Sequence, residues 1–439
     1  MTVATRAESG SIAAARARTL FVLWATYGSF YLCRNNVSPA VTSLSKSLGI
    51  GAIQIGFVLG AMKLGYAVGQ FFNGQLTERF GARRILGIGM LGSAVVTMLF
   101  VLAPSVRGVS TWYVMCALAF VNGWFQAGGW PPTVKIAGRW FPVEQRGRTM
   151  GILGTSYTLG SAVAVFAVGA MLDAAHGDWR VAFVVPSLLL ALSYVHTRLR
   201  LRESPPETSA GAADMHLERL SLRDAVVATL GNGRIWILAL GLFGVDAVRY
   251  GFYDWAPSHL AEVQHTGALF ASSKTAVFGL AGAAGVLVSS WATDRFFQSR
   301  RAPVCALLML AVAVLTIAYR WVVTLGTGPT IVCLALTGFG IFGAHILLVG
   351  TAAQDFAKRG ATAAAAGFVD FMGHVGAFSG DVVTGFLRAR HGWAGATAWW
   401  AFAATMAGLF AATLWNAKPA IPATVRASPA RDKTATPHR

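Results

Sequence analysis

Two arginines lie within apolar stretches of the chain, where an ionised side chain needs a partner or a function. Arg34 ends the run Tyr-Gly-Ser-Phe-Tyr-Leu-Cys-Arg, and Arg249 lies in a second apolar run 215 residues later. An ionised side chain at the centre of a bilayer costs about 2.5 to 3.5 kcal/mol on insertion scales. A guanidinium can donate two parallel hydrogen bonds, which suits a planar or tetrahedral anion, and phosphate best. The pair therefore predicts an anion site to which each half of the chain contributes one arginine.

A third apolar stretch contains residue types that a helix facing lipid does not use. Residues 124–132 read Trp-Phe-Gln-Ala-Gly-Gly-Trp-Pro-Pro. Glycine allows close backbone approach and proline frees backbone carbonyls, and both are tolerated at membrane depth where the chain faces protein or a wet cavity. We therefore expect this stretch, with Gln126 and Trp130, to form a cavity wall. A kinked packing helix that binds nothing is the alternative.

The composition indicates the kind of element that must position these residues. Hydrophobic residues make up 55% of the chain and charged residues only 12%, whereas about a quarter of the residues in a soluble domain are charged. We therefore predict an all-α membrane protein. A spanning helix needs roughly 20 apolar residues, and twelve runs are long enough. They are residues 19–41, 53–76, 84–104, 111–135, 148–172, 179–198, 234–258, 270–292, 303–323, 330–355, 362–386 and 394–416.

The basic residues indicate orientation. A formal net charge of +18 would suggest nucleic-acid binding in a soluble protein, but here the arginines lie in alternate loops, as in the cytoplasmic loops of membrane proteins. We expect a multi-pass protein of the cell inner membrane with both termini in the cytoplasm. The four cysteines lie in predicted spans without metal-ligand spacing, so neither a disulfide framework nor a metal site is expected.

The chain divides into two halves with similar sequence features. We predict a tail over residues 1–18, a six-helix bundle over 19–198, a polar linker over 199–233, a second six-helix bundle over 234–416 and a basic tail over 417–439. The loop after the second run is echoed 216 residues later by the loop after the eighth. Internal repeats of this size are typical of transporters built from two similar bundles.

These two loops are expected to change partners as the bundles move. Acids and arginines at a helix end can bond to neighbouring helix termini in one arrangement and release them in another. Plain anchoring by positive charge would explain the arginines but not the glycines or the repeat. The loop residues that carry the prediction are Gly74, Glu78, Arg79, Gly81, Arg83, Arg84, Asp294 and Arg295.

With these motifs, the chain resembles the organophosphate:phosphate antiporters of the major facilitator superfamily, which include glycerol-phosphate and hexose-phosphate carriers. The resemblance rests on residues 31–36, 123–132, 249–257 and 366–368. It implies the major facilitator fold, a phosphoryl group bound by the two arginines, and inorganic phosphate as the exchange partner.

Several positions depart from the family pattern. The glycerol-phosphate carriers have a lysine where this chain has Asn35, and a histidine where Tyr157 aligns. Lys63 and Asp370 are also particular to this chain. The resemblance therefore implies that the site for the phosphoryl group is kept, while the pocket for the rest of the substrate differs.

Four further polar residues leave alternatives open. Asp370 and His374 share a helical face and could pair, bind substrate hydroxyl or amino groups, or carry a coupling proton. Lys63 could add positive charge to the pocket or pair with an acid on another helix, and Asp246 is expected to form a structural ion pair with Arg249. The candidate substrate-binding residues are Tyr27, Tyr31, Arg34, Lys63, Gln126, Trp130, Tyr157, Arg249, Tyr250, Tyr253, Asp370 and His374.

The predicted function is secondary active transport by alternating access, without enzymatic activity or a cofactor. A phosphorylated small metabolite, of the sugar phosphate, glycerol phosphate or phosphoglycerate type, would exchange for inorganic phosphate. We expect a monomer in the lipid bilayer that does not bind nucleic acid. Two alternatives remain: a proton-coupled symporter of a carboxylate or phosphonate, and a sugar-phosphate receptor that does not transport.

Overall fold

The computed structural model describes residues 3–141, 143–205, 222–298, 300–352, 356 and 362–417, and the regular structure in these ranges is helical. Short 3₁₀ turns follow three of the helices, and a π-helical turn, Leu347–Ala352, follows another. The helices are α1 (Val3–Phe30), α2 (Val37–Leu48), α3 (Ala52–Phe80), α4 (Ala82–Leu99), α5 (Thr111–Gln126), α6 (Trp130–Trp140), α7 (Val143–Ala174), α8 (Val181–Arg200), α9 (Leu222–Leu230), α10 (Gly233–Val263), α11 (Ala268–Phe296), α12 (Arg301–Val322), α13 (Thr327–Ile346) and α14 (Thr362–Thr413).

These helices make twelve membrane crossings. Within the described ranges, nine helices are individually long and apolar enough to cross a bilayer. One of them, α14, makes two crossings, because Gly392 interrupts it with a φ of 64°. The two remaining crossings are each built from two consecutive helices, α1 with α2 and α5 with α6. The prediction of an all-helical, twelve-span membrane fold is confirmed.

The predicted boundaries differ from the structure where helices are broken. The first predicted span stops at residue 41, whereas α2 continues to Leu48. The fourth predicted span is interrupted at residues 127–129, and Pro131 lies in the first turn of α6, where a missing N–H removes no helical hydrogen bond. Within the predicted linker, α9 is helical, and residues 206–221 lie outside the described residues, as does the tail from residue 418.

The break in the first crossing exposes backbone carbonyls that α5 satisfies. Gln126 donates from Nε2 to the Phe30 carbonyl at 3.0 Å, and Asn122 donates from Nδ2 to the Cys33 carbonyl at 2.9 Å. An unpaired backbone group in the bilayer core costs several kcal/mol, so a broken helix at this depth requires such partners. The regular helix can therefore end before Arg34, because the carbonyls of Phe30 and Cys33 still have hydrogen-bond partners.

The internal repeat appears in the packing of helices within each bundle. A Cβ atom at Gly123 of α5 would lie 2.1 Å from the Met62 carbonyl oxygen of α3. A Cβ atom at Gly338 of α13, 215 residues later, would lie 2.1 Å from the Phe278 carbonyl oxygen of α11. Only glycine permits these two backbone approaches. The glycines around position 338 therefore serve helix packing in a repeated contact.

The two ends of the molecule differ in charge. We name the side at which α3, α6, α8 and α11 end the basic face, because arginines cluster in the segments that follow them. The side at which α2, α7 and α10 end is the opposite face. Each crossing therefore runs between these two faces, and a residue's place along its helix fixes its depth.

Contacts between the bundles close the half of the molecule nearest the opposite face. A Cβ atom at Gly56 of α3 would lie 2.7 Å from the Asp381 carbonyl oxygen of α14. Asp173 at the end of α7 accepts hydrogen bonds from the first two backbone N–H groups of α11, at 2.9 and 3.1 Å. Ser38 of α2 donates to the Tyr253 carbonyl of α10 at 2.8 Å. We name this set of contacts the gate.

On the basic face, a carboxylate caps the start of α4. Glu203 accepts hydrogen bonds from the backbone N–H groups of Ala82 and Arg83, at 3.1 and 3.4 Å, and from the Arg139 guanidinium at 2.6 Å. Gly81 precedes the cap with a φ of 89°. Partial burial acts to raise the pKa of the Glu203 carboxyl, but these three donors outweigh it and hold the pKa below its ordinary value.

Replacing Glu203 by glutamine should destabilise the protein at neutral pH by about 1 kcal/mol, the usual contribution of a helix cap. Because the pKa of Glu203 is lowered, its contribution is complete at neutral pH and is lost as the pH falls through that pKa. Thermal unfolding of wild type and Glu203→Gln in detergent should therefore differ at neutral pH and converge in acid. Arg84→Gln, at an exposed position in the first turn of α4, is the control. Equal stabilities at neutral pH would contradict the cap.

Candidate functional site

Arg34 is held by neutral groups of its own bundle. Its Nε donates to the Gln126 side-chain oxygen at 3.0 Å, and one terminal nitrogen donates to the Tyr31 hydroxyl at 2.9 Å. The guanidinium carbon lies 4.5 Å from the ring centre of Tyr31 and 4.6 Å from that of Tyr66. Among the described residues, no carboxylate lies within ion-pairing distance of Arg34. Its positive charge is therefore buried without a counter-charge.

Arg249 is partly neutralised within the second bundle. One terminal nitrogen lies 3.0 Å from Asp246 Oδ1 and 2.7 Å from His345 Nε2. The guanidinium carbon lies 4.8 Å from the ring centre of Tyr250 and 5.1 Å from that of Phe342. Its Nε is buried, with no hydrogen-bond partner among the described residues. The second arginine thus keeps an unused donor.

The two arginines line one cavity between the bundles. The first bundle contributes walls from the break between α1 and α2 and from α7, and the second contributes walls from α10 and α13. One buried carboxylate, Asp246, contacts one of the two guanidinium groups, so the site keeps an excess of positive charge. Such a cavity attracts an anion small enough to contact both bundles. The lining residues are Tyr31, Arg34, Asn35, Tyr157, Ser161, Arg249, Tyr250, Tyr253 and Phe342.

Two departures from the family pattern lie on this cavity wall. Asn35 donates from Nδ2 to the Ser161 hydroxyl of α7, so it joins the break between α1 and α2 to another helix of the first bundle. Tyr157 lines the cavity one helical turn from Ser161, and its ring centre lies 6.4 Å from that of Phe342 in the second bundle. A phenol and an amide therefore line the cavity at the two positions where the resemblance implies basic residues in the glycerol-phosphate carriers.

Gln126 has a positioning role beyond what the sequence indicates. It is fully buried and bonds Arg34, the Phe30 carbonyl and the Ser93 hydroxyl at the same time. Ser93 donates in turn to the Asn122 side-chain oxygen at 2.6 Å. Sequence reasoning missed Ser93 and Asn122, because each is an isolated polar residue in an apolar run. The spacing of these residues does not predict the hydrogen-bond network, because the backbone carbonyls in it become free to accept only where the first crossing is broken.

Aromatic rings extend this wall away from the arginines. The ring centre of Trp130 lies 4.9 Å from that of Tyr27, which lies 6.0 Å from the ring of Tyr31 in an edge-on arrangement. The stretch at residues 124–132 therefore contacts the face of α1 that carries the predicted tyrosines. Rigid rings in contact restrict the orientation of Tyr31 and, through it, of Arg34.

Lys63 lies apart from the cavity that both arginines line. Its ammonium contacts the carboxylate of Asp254 and lies 3.0 Å from Asp381 Oδ2, both in the second bundle. The sequence left open whether Lys63 adds positive charge to the pocket or pairs with an acid on another helix. In the structure it pairs with acids of other helices. Lys63 also lines a second small cavity together with Arg34. Sequence reasoning missed Asp381, although an acid within the apolar run of α14 was the available signal.

Asp370 and His374 lie toward the basic face, and His374 is linked to Arg34 through Tyr66. The rings of His374 and Tyr66 are stacked, with centres 4.7 Å apart. His374 Nδ1 is 2.9 Å from the Asp370 carbonyl oxygen and 3.9 Å from its carboxylate. Direct pairing of the two side chains is therefore loose, and the Asp370 carboxylate remains 23% exposed.

The predicted loop residues make the following contacts on the basic face. Arg83 donates to the Arg198 carbonyl of α8 in the first bundle, and Asp294 pairs with Arg301 at 3.1 Å in the second. These two contacts each stay within one bundle. Of the two glycines, Gly74 has open space around it and Gly81 precedes α4. Arg79 lies over the Phe80 ring, and Arg84 and Arg295 are exposed. The side chain of Glu78 lies outside the described residues.

Replacing Gln126 by leucine should cost about 3 kcal/mol of stability, because the Phe30 carbonyl and the Arg34 guanidinium lose buried partners. Gln70→Leu is the matched control, since the Gln70 side-chain oxygen accepts no hydrogen bond from the described residues. Thermal unfolding in detergent compares the two variants. Equal loss of stability in both would mean that the Gln126 network is not what positions Arg34.

Comparisons with known proteins agree with this architecture. Residues 23–381 match the family model described as Major Facilitator Superfamily. The chain is 30% identical to the glycerol-3-phosphate transporter of Bacillus subtilis, across 89% of this chain and 90% of the relative. It is 27% identical to the membrane sensor protein UhpC of Salmonella typhimurium, across 92% of each.

A solved structure shares the fold. It is a bacterial homologue of the human lysosomal transporter Spinster in an inward-facing, unoccupied conformation, with a TM-score of 0.72 and 16% identity. The alignment covers 91% of this chain and 96% of that one. The two chains therefore share the arrangement of their helices.

Proposed function

The chain belongs to the major facilitator superfamily and, within it, to the organophosphate:phosphate antiporter family, and on this premise we propose that it exchanges a phosphorylated small metabolite for inorganic phosphate. As a member of this family it is a membrane transporter and not an enzyme. The cargo is a sugar phosphate, glycerol phosphate or phosphoglycerate, and the bundles expose it alternately to the two faces. The relative from Bacillus subtilis, named for glycerol-3-phosphate, supports a phosphate ester as the cargo.

The uncompensated charge of Arg34 is the observation that carries this proposal. A buried guanidinium without a carboxylate is tolerated when an anion joins it during the working cycle. A phosphate dianion in the shared cavity receives hydrogen bonds from Arg34 and from the unused Nε donor of Arg249. It also competes with Asp246 for the second guanidinium. The phosphoryl group, common to cargo and counter-substrate, is thus what both arginines recognise.

The mechanism follows from charge. In the empty site two guanidinium groups repel each other across the cavity, which keeps α1 and α10 apart. A bound phosphate dianion neutralises them and draws the two helices together, which lowers the barrier to opening the gate on the other side. Exchange is obligatory because the empty carrier switches too slowly to contribute. The free energy of anion binding therefore lowers the barrier to the conformational switch.

We place the basic face in the cytoplasm of a cell with the protein in its inner membrane, and both chain ends on that side. The support is the excess of arginine in the segments of that face. The carrier acts as a monomer, since both arginines come from one chain. Asn35 and Tyr157, in place of basic residues, adapt the cavity to the organic part of the cargo.

A second candidate function is sensing without transport. The similarity to a membrane sensor protein over 92% of the chain favours it specifically. A sensor would bind phosphate esters and show no flux in liposomes. A proton-coupled symporter using Asp370 and His374 would instead accumulate its substrate under a pH gradient with no phosphate inside. The flux experiment below separates all three.

Proteoliposomes loaded with inorganic phosphate should take up labelled phosphate through the wild-type protein. Arg34→Lys and Arg249→Lys should each reduce this uptake by at least about 100-fold, because lysine cannot donate the bidentate pair of hydrogen bonds. Arg320→Lys, at an exposed position of α12, should exchange normally. Normal exchange in both cavity variants would refute the proposal, and binding without flux in the wild type would favour the sensor.

Replacing Asp246 by asparagine should raise the affinity for phosphate by about 5- to 10-fold, because the carboxylate no longer competes for Arg249. The stabilisation of the protein by added phosphate, measured as a shift in Tm, reports this affinity. Asp178→Asn, which removes an exposed ion pair with Arg180, should leave the phosphate response unchanged. Weaker binding in Asp246→Asn would mean that Asp246 orients Arg249 and does not compete for it.

A further inference from the structure

A buried cluster of three ionisable groups joins the two bundles at the gate. Lys63 of α3 contacts the carboxylates of Asp254 on α10 and Asp381 on α14. The side chains of Lys63, Asp254 and Asp381 are 3%, 4% and 0% exposed. The cluster lies beside the close approach of α3 and α14 at Gly56. Its cation and its acids therefore belong to opposite sides of the surface along which the bundles separate.

The charges of the cluster do not balance. Two carboxylates share one ammonium, so full ionisation would leave one negative charge in a site whose side chains are at most 4% exposed. Apart from the Lys63 ammonium, which lies 3.0 Å from Oδ2, neither oxygen of Asp381 has a hydrogen-bond partner among the described residues. Burying an ionised carboxylate without hydrogen bonds is expensive, whereas a neutral carboxylic acid next to one lysine–carboxylate pair leaves no net charge. The geometry thus favours one bound proton.

The other groups that face the cluster do not supply the missing positive charge by contact. From α10, the Tyr250 ring centre lies 4.9 Å from the Lys63 ammonium. From the break after α1, Arg34 lines the small cavity that Lys63 also lines, but within the described residues it has no ion pair with either acid. The neutral side chains of Asn36, Thr97 and Asn122 complete the polar part of that cavity.

We propose that Asp254 and Asp381 hold one proton between them and form a proton-binding site that assembles when the gate closes. The proposal rests on the proposed alternating access, since it requires the bundles to separate at the opposite face. Separation moves Lys63 away with the first bundle and exposes both carboxylates to water, where they ionise. Closure takes one proton from the solution at the opposite face. Acid on that face therefore favours the closed gate, and alkali opposes it, by linkage.

This site differs from the acid and histidine nearer the basic face. The Asp370 carboxylate is 23% exposed and lies in the same bundle as His374, so opening the gate does not separate the two. Asp254 and Asp381 lose their cation whenever the bundles part. Only the second arrangement links the uptake of a proton to the movement of the gate.

Infrared spectroscopy of the full-length protein in lipid tests the site without measuring transport. The difference spectrum between wild type and Asp381→Asn at neutral pH should contain the carbonyl stretch of one protonated carboxylic acid, shifted in heavy water. Asp254→Asn should lose the same band, and Asp370→Asn should keep it. Absence of the band from the wild-type minus Asp381→Asn spectrum would overturn the proposal.

Stability provides a second readout in case a variant is suspected of misfolding. Asparagine at 381 mimics the protonated acid, so Asp381→Asn should unfold at the same temperature as wild type in mild acid and at a higher temperature in alkali. A variant that is less stable than wild type at both pH values would contradict the proton site. Lys63→Met should be less stable than wild type throughout, because the two carboxylates then lose the ammonium that contacts both.

Measurements of transport test whether proton binding at this site is linked to the movement of the gate. Phosphate self-exchange by wild type in proteoliposomes, with equal pH on both sides from about pH 6 to about pH 9, should change with pH by several-fold. Asp381→Asn should flatten this profile to the dependence that the ionisation of phosphate itself imposes over this range, and Asp178→Asn, at an exposed acid, should keep the wild-type profile. Unaltered pH dependence in Asp381→Asn would overturn the link. Failure of wild type to exchange phosphate would refute the proposed function and leave the infrared result to decide the site.

Discussion

A buried guanidinium is stable at membrane depth only when its donors are met, and Arg34 meets them with neutral partners alone. Gln126 and Tyr31 accept its hydrogen bonds, and two tyrosine rings cover its faces. The orientation of the Arg34 guanidinium is therefore fixed, while its positive charge remains available to an anion. The broken first crossing exists because α5 satisfies the carbonyls around the break, so helix packing, side-chain network and anion site depend on one another.

In the second bundle, the buried arginine has charged and ionisable partners. Arg249 shares its charge with Asp246 and His345, so an incoming anion must compete for it. In the proposed function, one free and one partly neutralised arginine together bind an anion without holding it too tightly for release. Nearer the opposite face, the cluster of Lys63, Asp254 and Asp381 joins the bundles by charge. The charged side chains that face the anion cavity thus differ from those that join the bundles by charge at the gate.

Residue type and spacing were sufficient to predict the twelve crossings, the repeat and the two arginines. Charged residues are rare in apolar runs, so each one is conspicuous. The breaks at residues 31–36 and 127–129 were harder to predict, because glycine and proline indicate irregular backbone without fixing where a helix resumes. Gln126 was predicted for the cavity wall, but its hydrogen bonds to Phe30 and Arg34 depend on contacts between distant helices. Asp381 was missed because its partners lie on two other helices.

The central claim is that one anion contacts both bundles through Arg34 and Arg249. A crystal structure of the protein with arsenate, whose anomalous scattering locates it independently of the surrounding density, tests this claim directly. We predict one arsenate peak between the two guanidinium groups, within hydrogen-bonding distance of both. A peak elsewhere, or an arsenate that contacts only one of the two arginines in every conformation captured, would contradict the account.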